Sequence, residues 1–169
     1  MPYSQCAFDD AIEDIIRTLQ PRNVLDIGAG AGKYATLVSR GCPTALITGV
    51  ELDRDYIDRF ELANKYDRIL AVDAASLMAD VDVDYDVVIF GDVIEHLRKT
   101  LGIDLLNFFV YRSRRIIVVF PLRYRQGAVE GRSHEAHISV WGQTDFLWCD
   151  STYEERDRIA MVQIHGFLC

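Results

Sequence analysis

Asp26-Ile27-Gly28-Ala29-Gly30-Ala31-Gly32-Lys33 decides how this chain is read. It follows the apolar run Asn23-Val24-Leu25-Asp26-Ile27 and precedes a segment with helical spacing, Lys33 to Arg40. Three alternating glycines at that junction permit a tight strand-to-helix turn and close approach of a ligand to the backbone. A nucleotide P-loop needs Gly-x-x-x-x-Gly-Lys followed by Ser or Thr; the glycine spacing is wrong here, and Tyr34 stands where the hydroxyl belongs. A dinucleotide loop needs Gly-x-Gly-x-x-Gly. Its third glycine would come one residue later, and Asp26 would sit badly beside a pyrophosphate.

Further short apolar runs follow at regular intervals: Ala45–Val50, Arg68–Val72, Tyr85–Phe90 and Arg115–Phe120. They are rich in β-branched residues and apolar on both faces, as strands buried in a parallel sheet are. Helical spacing returns over Asp55–Lys65 and Thr100–Ser113. Before the first strand, Phe8, Ile12, Ile15, Ile16 and Leu19 form one apolar helix stripe that Pro21 stops. Strands alternating with helices predict right-handed βαβ units in an α/β fold, with a single doubly wound, mostly parallel sheet. Beyond Pro121, Arg123 to Glu135 reads as a polar loop. A short helix opening at Thr144-Asp145 is expected next, then a strand over Arg158–Leu168 that is antiparallel or at the edge. An exposed edge near Ala160–Ile164 would allow pairing with a second copy.

Length and composition bound the rest. At 169 residues the expectation is one domain, 1–169. Half the residues are hydrophobic and 26% charged, which is a globular composition. The net charge is −8, with no basic stripe, so duplex nucleic acid and anionic membranes are poor partners. No apolar stretch approaches the ~20 residues that span a bilayer. Residues 1–10 lack the basic start and apolar run of a signal peptide. The four cysteines, at 6, 42, 149 and 169, form no Cys-x-x-Cys pair and read as reduced thiols of a cytoplasmic protein.

Asp-x-Gly-x-Gly-x-Gly after the first strand, with Glu51 ending the second, resembles motif I of the class I S-adenosylmethionine-dependent methyltransferases. The resemblance continues through Asp73-Ala74 after the third strand and Asp92-Val93-Ile94-Glu95-His96-Leu97 after the fourth, and it spans roughly residues 23–121. It implies a Rossmann-like methyltransferase fold with S-adenosylmethionine as cofactor. Asp26, Gly28, Gly30, Gly32, Glu51, Leu52, Asp73, Ala74 and Asp92 are then the cofactor-binding candidates. Such a donor carries an ammonium and a sulfonium rather than phosphates, so an acidic, glycine-rich cradle suits it. Glu51 can accept both ribose hydroxyls, and Asp73-Ala74 lies where the family contacts adenine. Four acids at the ends of four consecutive strands make a joint signal, because open α/β sheets bind ligands at those ends.

Methyl transfer from a sulfonium asks the protein mainly for positioning and exclusion of water, with a base where the acceptor must lose a proton. Glu95, His96 and His137 are the catalytic candidates. Tyr124, His134 and Trp141 are placed on the substrate side, with Trp141 also expected to anchor its loop by burial. Arg123, Arg125 and Arg132 offer a basic lip for an anionic group, or simply an exposed loop. The expected activity is methyl transfer to a small-molecule acceptor, with no metal assigned. Two alternatives stay open. In Hen1-type small-RNA 2′-O-methyltransferases, Glu-x-x-Glu-His and a later histidine four residues before a tryptophan bind a divalent metal. Here Glu95, His96 and His137 match three of those positions, and Asp92 replaces the first glutamate. The other alternative is a scaffold that keeps the fold and the cofactor but never turns over.

Overall fold

The computed structural model describes residues 6–168. Among them, seven strands form one sheet in the order β3-β2-β1-β4-β5-β7-β6. The strands are β1 (Asn23–Ile27), β2 (Leu46–Val50), β3 (Arg68–Leu70), β4 (Tyr85–Gly91), β5 (Ser113–Pro121), β6 (Ser151–Arg156) and β7 (Ile159–His165). The helices are α1 (Asp9–Leu19), α2 (Lys33–Gly41), α3 (Arg54–Arg59) and α4 (Lys99–Val110). β1 to β5 run parallel, and β7 is antiparallel to both β5 and β6.

Alternation along the strands sorts the apolar side chains into two cores, because successive side chains leave opposite faces of the sheet. Val24, Ile47, Val87, Ile89, Ile117 and Val119 pack against α1 and α2. Leu25, Val88, Phe90, Ile116, Val118 and Phe120 pack against α4. The sheet is therefore covered on both sides, as the continuous apolar runs require.

Parallel register brings the strand ends to one rim. Ile27 lies opposite Val50 and Phe90, and Val50 lies opposite Leu70. Glu51 and Asp92 directly follow β2 and β4 on that rim.

Three expectations shift. The segment expected as one helix over 55–65 ends at Arg59, takes a left-handed step at Glu61, and continues as a single tight turn over Leu62–Asn64. The third strand stops at Leu70, and Asp73 caps a following turn by accepting from the Ala75 N–H. The C-terminal strand is interior: Ala160–Ile164 is paired on one side with β5 and on the other with β6, and Ala160, Val162 and Ile164 are fully buried. The edge belongs to β6, whose Ser-Thr-Tyr-Glu-Glu-Arg sequence carries no long apolar run to betray it. No helix among the described residues is long and apolar enough to cross a membrane.

Candidate active site

Gly28 begins the turn after β1 with φ +81°. A Cβ there would also lie 2.5 Å from Val93 Cγ2, so backbone conformation and space both demand glycine. The Gly28 and Ala29 N–H groups donate to the Val50 carbonyl, which ties the loop to the end of β2. Glu51 completes the tie. One carboxylate oxygen accepts from the Gly30 N–H at 2.8 Å and the other from the Asp53 N–H at 2.8 Å. Burial raises the pKa of Glu51, and these two N–H groups oppose that rise. Each oxygen keeps acceptor capacity beyond these bonds.

A cavity of about 320 Å³ opens above this loop. Gly28, Glu51, Leu52, Asp73, Ala74 and Asp92 line it, together with Leu97, Leu101, His134 and Ile138. Its wall carries the carboxylates of Glu51, Asp73, Asp92 and Glu135 against one arginine, Arg98. That set of acceptors fits a cationic nucleoside with free ribose hydroxyls. It does not fit a pyrophosphate.

Asp26, Gly30 and Gly32 do not reach this wall. Gly30 and Gly32 shape the turn, the latter at the start of α2. Asp26 is fully buried beneath it, and its carboxylate accepts from the Tyr66 hydroxyl at 2.5 Å. Burial pushes the Asp26 carboxyl up to about 7, although the Tyr66 hydrogen bond works against the rise. Asp26, expected among the cofactor-binding residues, thus lies under the loop and off the cavity wall: its register position in mid-sheet turns it toward Tyr66.

A second cavity, of about 270 Å³, adjoins the first. Asp92 and His96 stand on both walls; Glu95, Tyr124, Gln126, His137 and Arg158 line the second. The Asp92 backbone is left-handed at φ +52°, and the Tyr34 hydroxyl donates to its carboxylate at 3.1 Å. Tyr34 was not anticipated from the sequence. Gly91 makes room for it, since a Cβ there would come within 1.9 Å of its ring.

The two histidines are set alike. His96 Nδ1 lies 3.2 Å from the Ala136 carbonyl, and His137 Nδ1 lies 2.9 Å from the Tyr124 carbonyl. A carbonyl can only accept, so Nδ1 carries the proton in each ring and Nε2 is the basic nitrogen. The rings meet edge to face at 4.7 Å. Burial, followed by the neighbouring His137, lowers the pKa of His96 and keeps it neutral. Glu95 is buried, with one carboxylate oxygen 3.9 Å from His137 Nε2 and the other without a hydrogen-bond partner. Burial and the charge of Asp92 push its pKa well above the usual carboxylate range. Such an orphaned oxygen calls for a cation or a hydroxyl donor.

Glu95, His96 and His137 offer ligand atoms that all lie within 4.8 Å of one another. The sequence reading assigned no metal here; the fold nonetheless assembles a set of N and O donors able to hold one. Both histidines already have Nδ1 anchored by a backbone carbonyl, the usual support for a ligating imidazole.

Trp141 lines neither cavity; it is buried and anchors its loop, the role expected of it beside its placement on the substrate side. It is 3% exposed, packs over Gly102, and donates from Nε1 to the Ile94 carbonyl at 3.1 Å and to Ser139 Oγ at 2.8 Å. The Ile138 and Ser139 N–H groups both donate to the Glu95 carbonyl. Together these bonds stitch the His-x-Ser-x-Trp segment onto the Ile94–His96 turn. His134 lines the first cavity, with Nε2 3.5 Å from Asp53, rather than the cavity holding Tyr124. Nor is Arg132 free to form a lip for substrate: it is paired with Asp53, Asp55 and Glu130.

A family model described as "Methyltransferase domain" matches residues 25–109, half of the chain. The chain belongs to the methyltransferase-domain family. As a member it is an S-adenosylmethionine-dependent methyltransferase. No curated protein matches it by sequence. Among solved structures it resembles the N-terminal domain of EvdMO1 with SAH bound, with a TM-score of 0.67 and 14% identity over 96% of this chain and 82% of that one. It resembles the methyltransferase domain of a bacterial protein, CtHen1-C, with a TM-score of 0.65 and 19% identity over 95% and 97% of the two chains. A third likeness is to the mitomycin 7-O-methyltransferase MmcR, at 0.64 and 13%, over 94% of this methyltransferase and 54% of that chain. At these identities the likenesses establish the shared fold.

Proposed function

We propose that this methyltransferase methylates a hydroxyl of a small-molecule acceptor held in the second cavity. The observation that carries the reading is the matched pair of imidazoles, each with Nδ1–H given to a backbone carbonyl and Nε2 left basic, on the wall of a cavity that adjoins the donor site. When bound, S-adenosylmethionine supplies an electrophilic methyl group with a good leaving group already attached. Glu51 would accept from the ribose hydroxyls while it holds the glycine loop. Leu52, Asp73 and Ala74 would hold the base, and Asp92 would face the positively charged end. His96 and His137 are the candidates to take the acceptor proton, and the loss of His96's charge through burial suits it to that role near neutral pH. Tyr124, exposed at the mouth, meets the incoming acceptor. A small cavity lined by the segment that follows β5 favours a compact acceptor over a polymer, as does the chain's net charge of −8. MmcR, by its name an O-methyltransferase of mitomycin, supports the same acceptor class. The test is labelled-methyl transfer over a panel of small hydroxylated acceptors. Turnover that His96→Gln and His137→Gln each cut by about 10²-fold or more supports the reading, whereas unchanged turnover in both variants would refute it.

One observation favours a second reading, metal-assisted transfer to the 3′ end of an RNA: the Glu95, His96 and His137 cluster, taken with the likeness to CtHen1-C. These three residues would hold a divalent cation there, and its charge would ease removal of the hydroxyl proton. Calorimetric titration with Mn²⁺, with and without His137→Ala, and a methyl-transfer assay on short RNAs separate the two. Tight Mn²⁺ binding lost in the variant, together with RNA methylation, would favour this second reading.

A further inference from the structure

The segment between β5 and β6 serves both cavities. His134, Glu135 and Ile138 stand on the donor wall, while Tyr124, Gln126 and His137 stand on the acceptor wall. On the acceptor side the backbone of Glu95 holds it down. On the donor side it is held by Arg132. Val129 and Arg132 pair across a tight bend through Glu130 and Gly131, both with positive φ, so Arg132 stands at the base of a miniature hairpin. Its Nε donates to Asp53 Oδ2 at 2.6 Å, Nη1 to Glu130 at 3.0 Å and Nη2 to Asp55 at 3.4 Å, and the guanidinium lies 5.0 Å from the centre of the Tyr56 ring. The Asp53 and Arg132 side chains are only 11% and 21% exposed, which shelters this ion pair from solvent more than the outer contact of Arg59 with Glu130. Asp53 is itself bound to the donor site, because its N–H donates to Glu51. A continuous line of contacts therefore runs from the ribose-facing acid, through Asp53, to the segment that carries His134 and His137.

We propose that Arg132 is a positioning residue: its bond to Asp53 clasps the β5–β6 segment over the donor cavity, so that one ion pair both encloses the cofactor and sets the loop bearing the acceptor-side histidine. A loop closed over a cofactor must open for release, so the strength of its clasp governs residence time. A charged pair holding that clasp makes release sensitive to salt, because ions screen it in the open state and compete for it. Arginine suits the role better than lysine, since its planar fork reaches Asp53, Asp55 and Glu130 at once. The inference rests on the donor occupying the first cavity, which loss of S-adenosylhomocysteine binding in Glu51→Ala tests separately.

The experiment measures S-adenosylhomocysteine release by stopped-flow fluorescence on the full chain, for the wild type and for Arg132→Gln, Arg132→Lys, Asp53→Asn and Arg59→Gln. Arg132→Gln and Asp53→Asn should each speed release about tenfold, the loss expected of one charge-assisted contact. Arg132→Lys should recover part of that loss, and Arg59→Gln should stay within about twofold. Raising salt from about 0.05 to 0.5 M should speed release from the wild type but barely alter Arg132→Gln. Asp53 Oδ1 caps α3 by accepting from the Asp55 N–H, and Asp53→Asn keeps a side-chain oxygen for that bond, so it carries the test if Arg132→Gln melts early. Wild-type release rates in folded Arg132→Gln or Asp53→Asn, or equal salt dependence with and without the pair, would overturn the proposal.

Discussion

Replacing Asp26 with asparagine should make the protein more stable, and increasingly so as pH rises. Asp26 is fully buried, has one carboxyl oxygen on Tyr66 and the other unpartnered, and titrates near 7 in the fold against an ordinary value of 3.8. The folded state thus holds its proton over a pH range in which the unfolded chain has released it. Stability from this group is fully present below about 3.8, falls as pH climbs from there, and levels off above about 7. At about 1.36 kcal/mol for each tenfold step in proton activity, the gap from 3.8 to about 7 amounts to about 4 kcal/mol. The amide introduced by Asp26→Asn has the shape of the protonated acid, still accepts from Tyr66 and cannot ionise. Urea unfolding of both proteins between about pH 5.5 and 8.5 reads the effect, because groups that do not interact with Asp26, such as Glu95, cancel in the difference, while the smaller coupling of Asp26 to Glu51 is part of what the variant removes. The advantage of the variant should grow by about 2 kcal/mol from pH 5.5 to 7 and then flatten. A difference that stays constant across this range would show that the carboxyl is not held neutral and would refute the reasoning.

Three further outcomes are expected. Glu51→Ala should weaken S-adenosylhomocysteine binding in calorimetry by at least about tenfold, since it removes charged acceptors and frees the Gly30 and Asp53 N–H groups. The acidic limb of the rate profile should fall below the 6.5 of a free imidazole, because burial and His137 lower the pKa of His96. Activity is lost as pH drops through that depressed value, and a limb at or above 6.5 would count against His96 as the base. Trp141→Ala should cost about 3–5 kcal/mol in urea unfolding, since it empties the space between Gly102 and Phe146 and removes one of the donors to the Ile94 carbonyl.

The strongly apolar runs between residues 23 and 120 were sufficient to establish β1, β2, β4 and β5, their parallel pairing and the rim that carries Glu51 and Asp92. In a sheet covered on both faces, local sequence carries that information: every second residue must be apolar on each side, and glycine alone tolerates the turn at Gly28. The acids at 51 and 92 were legible for the same reason, since a strand's end dictates where the next residue points, whereas Asp73 lies three residues beyond β3, at the cap of the following turn. Tertiary structure alone decided the rest. Asp26 sits one residue too early to reach the rim, and only the packing of Tyr66, forty residues away, shows where its carboxyl goes. β6 is half-exposed and polar, so its strand character comes from pairing with β7 rather than from its own residues. The positions of Arg132, His134 and His137 rest on long-range hydrogen bonds and ion pairs to Asp53, Tyr124 and the Glu95 backbone. No periodicity in an irregular loop encodes partners that distant.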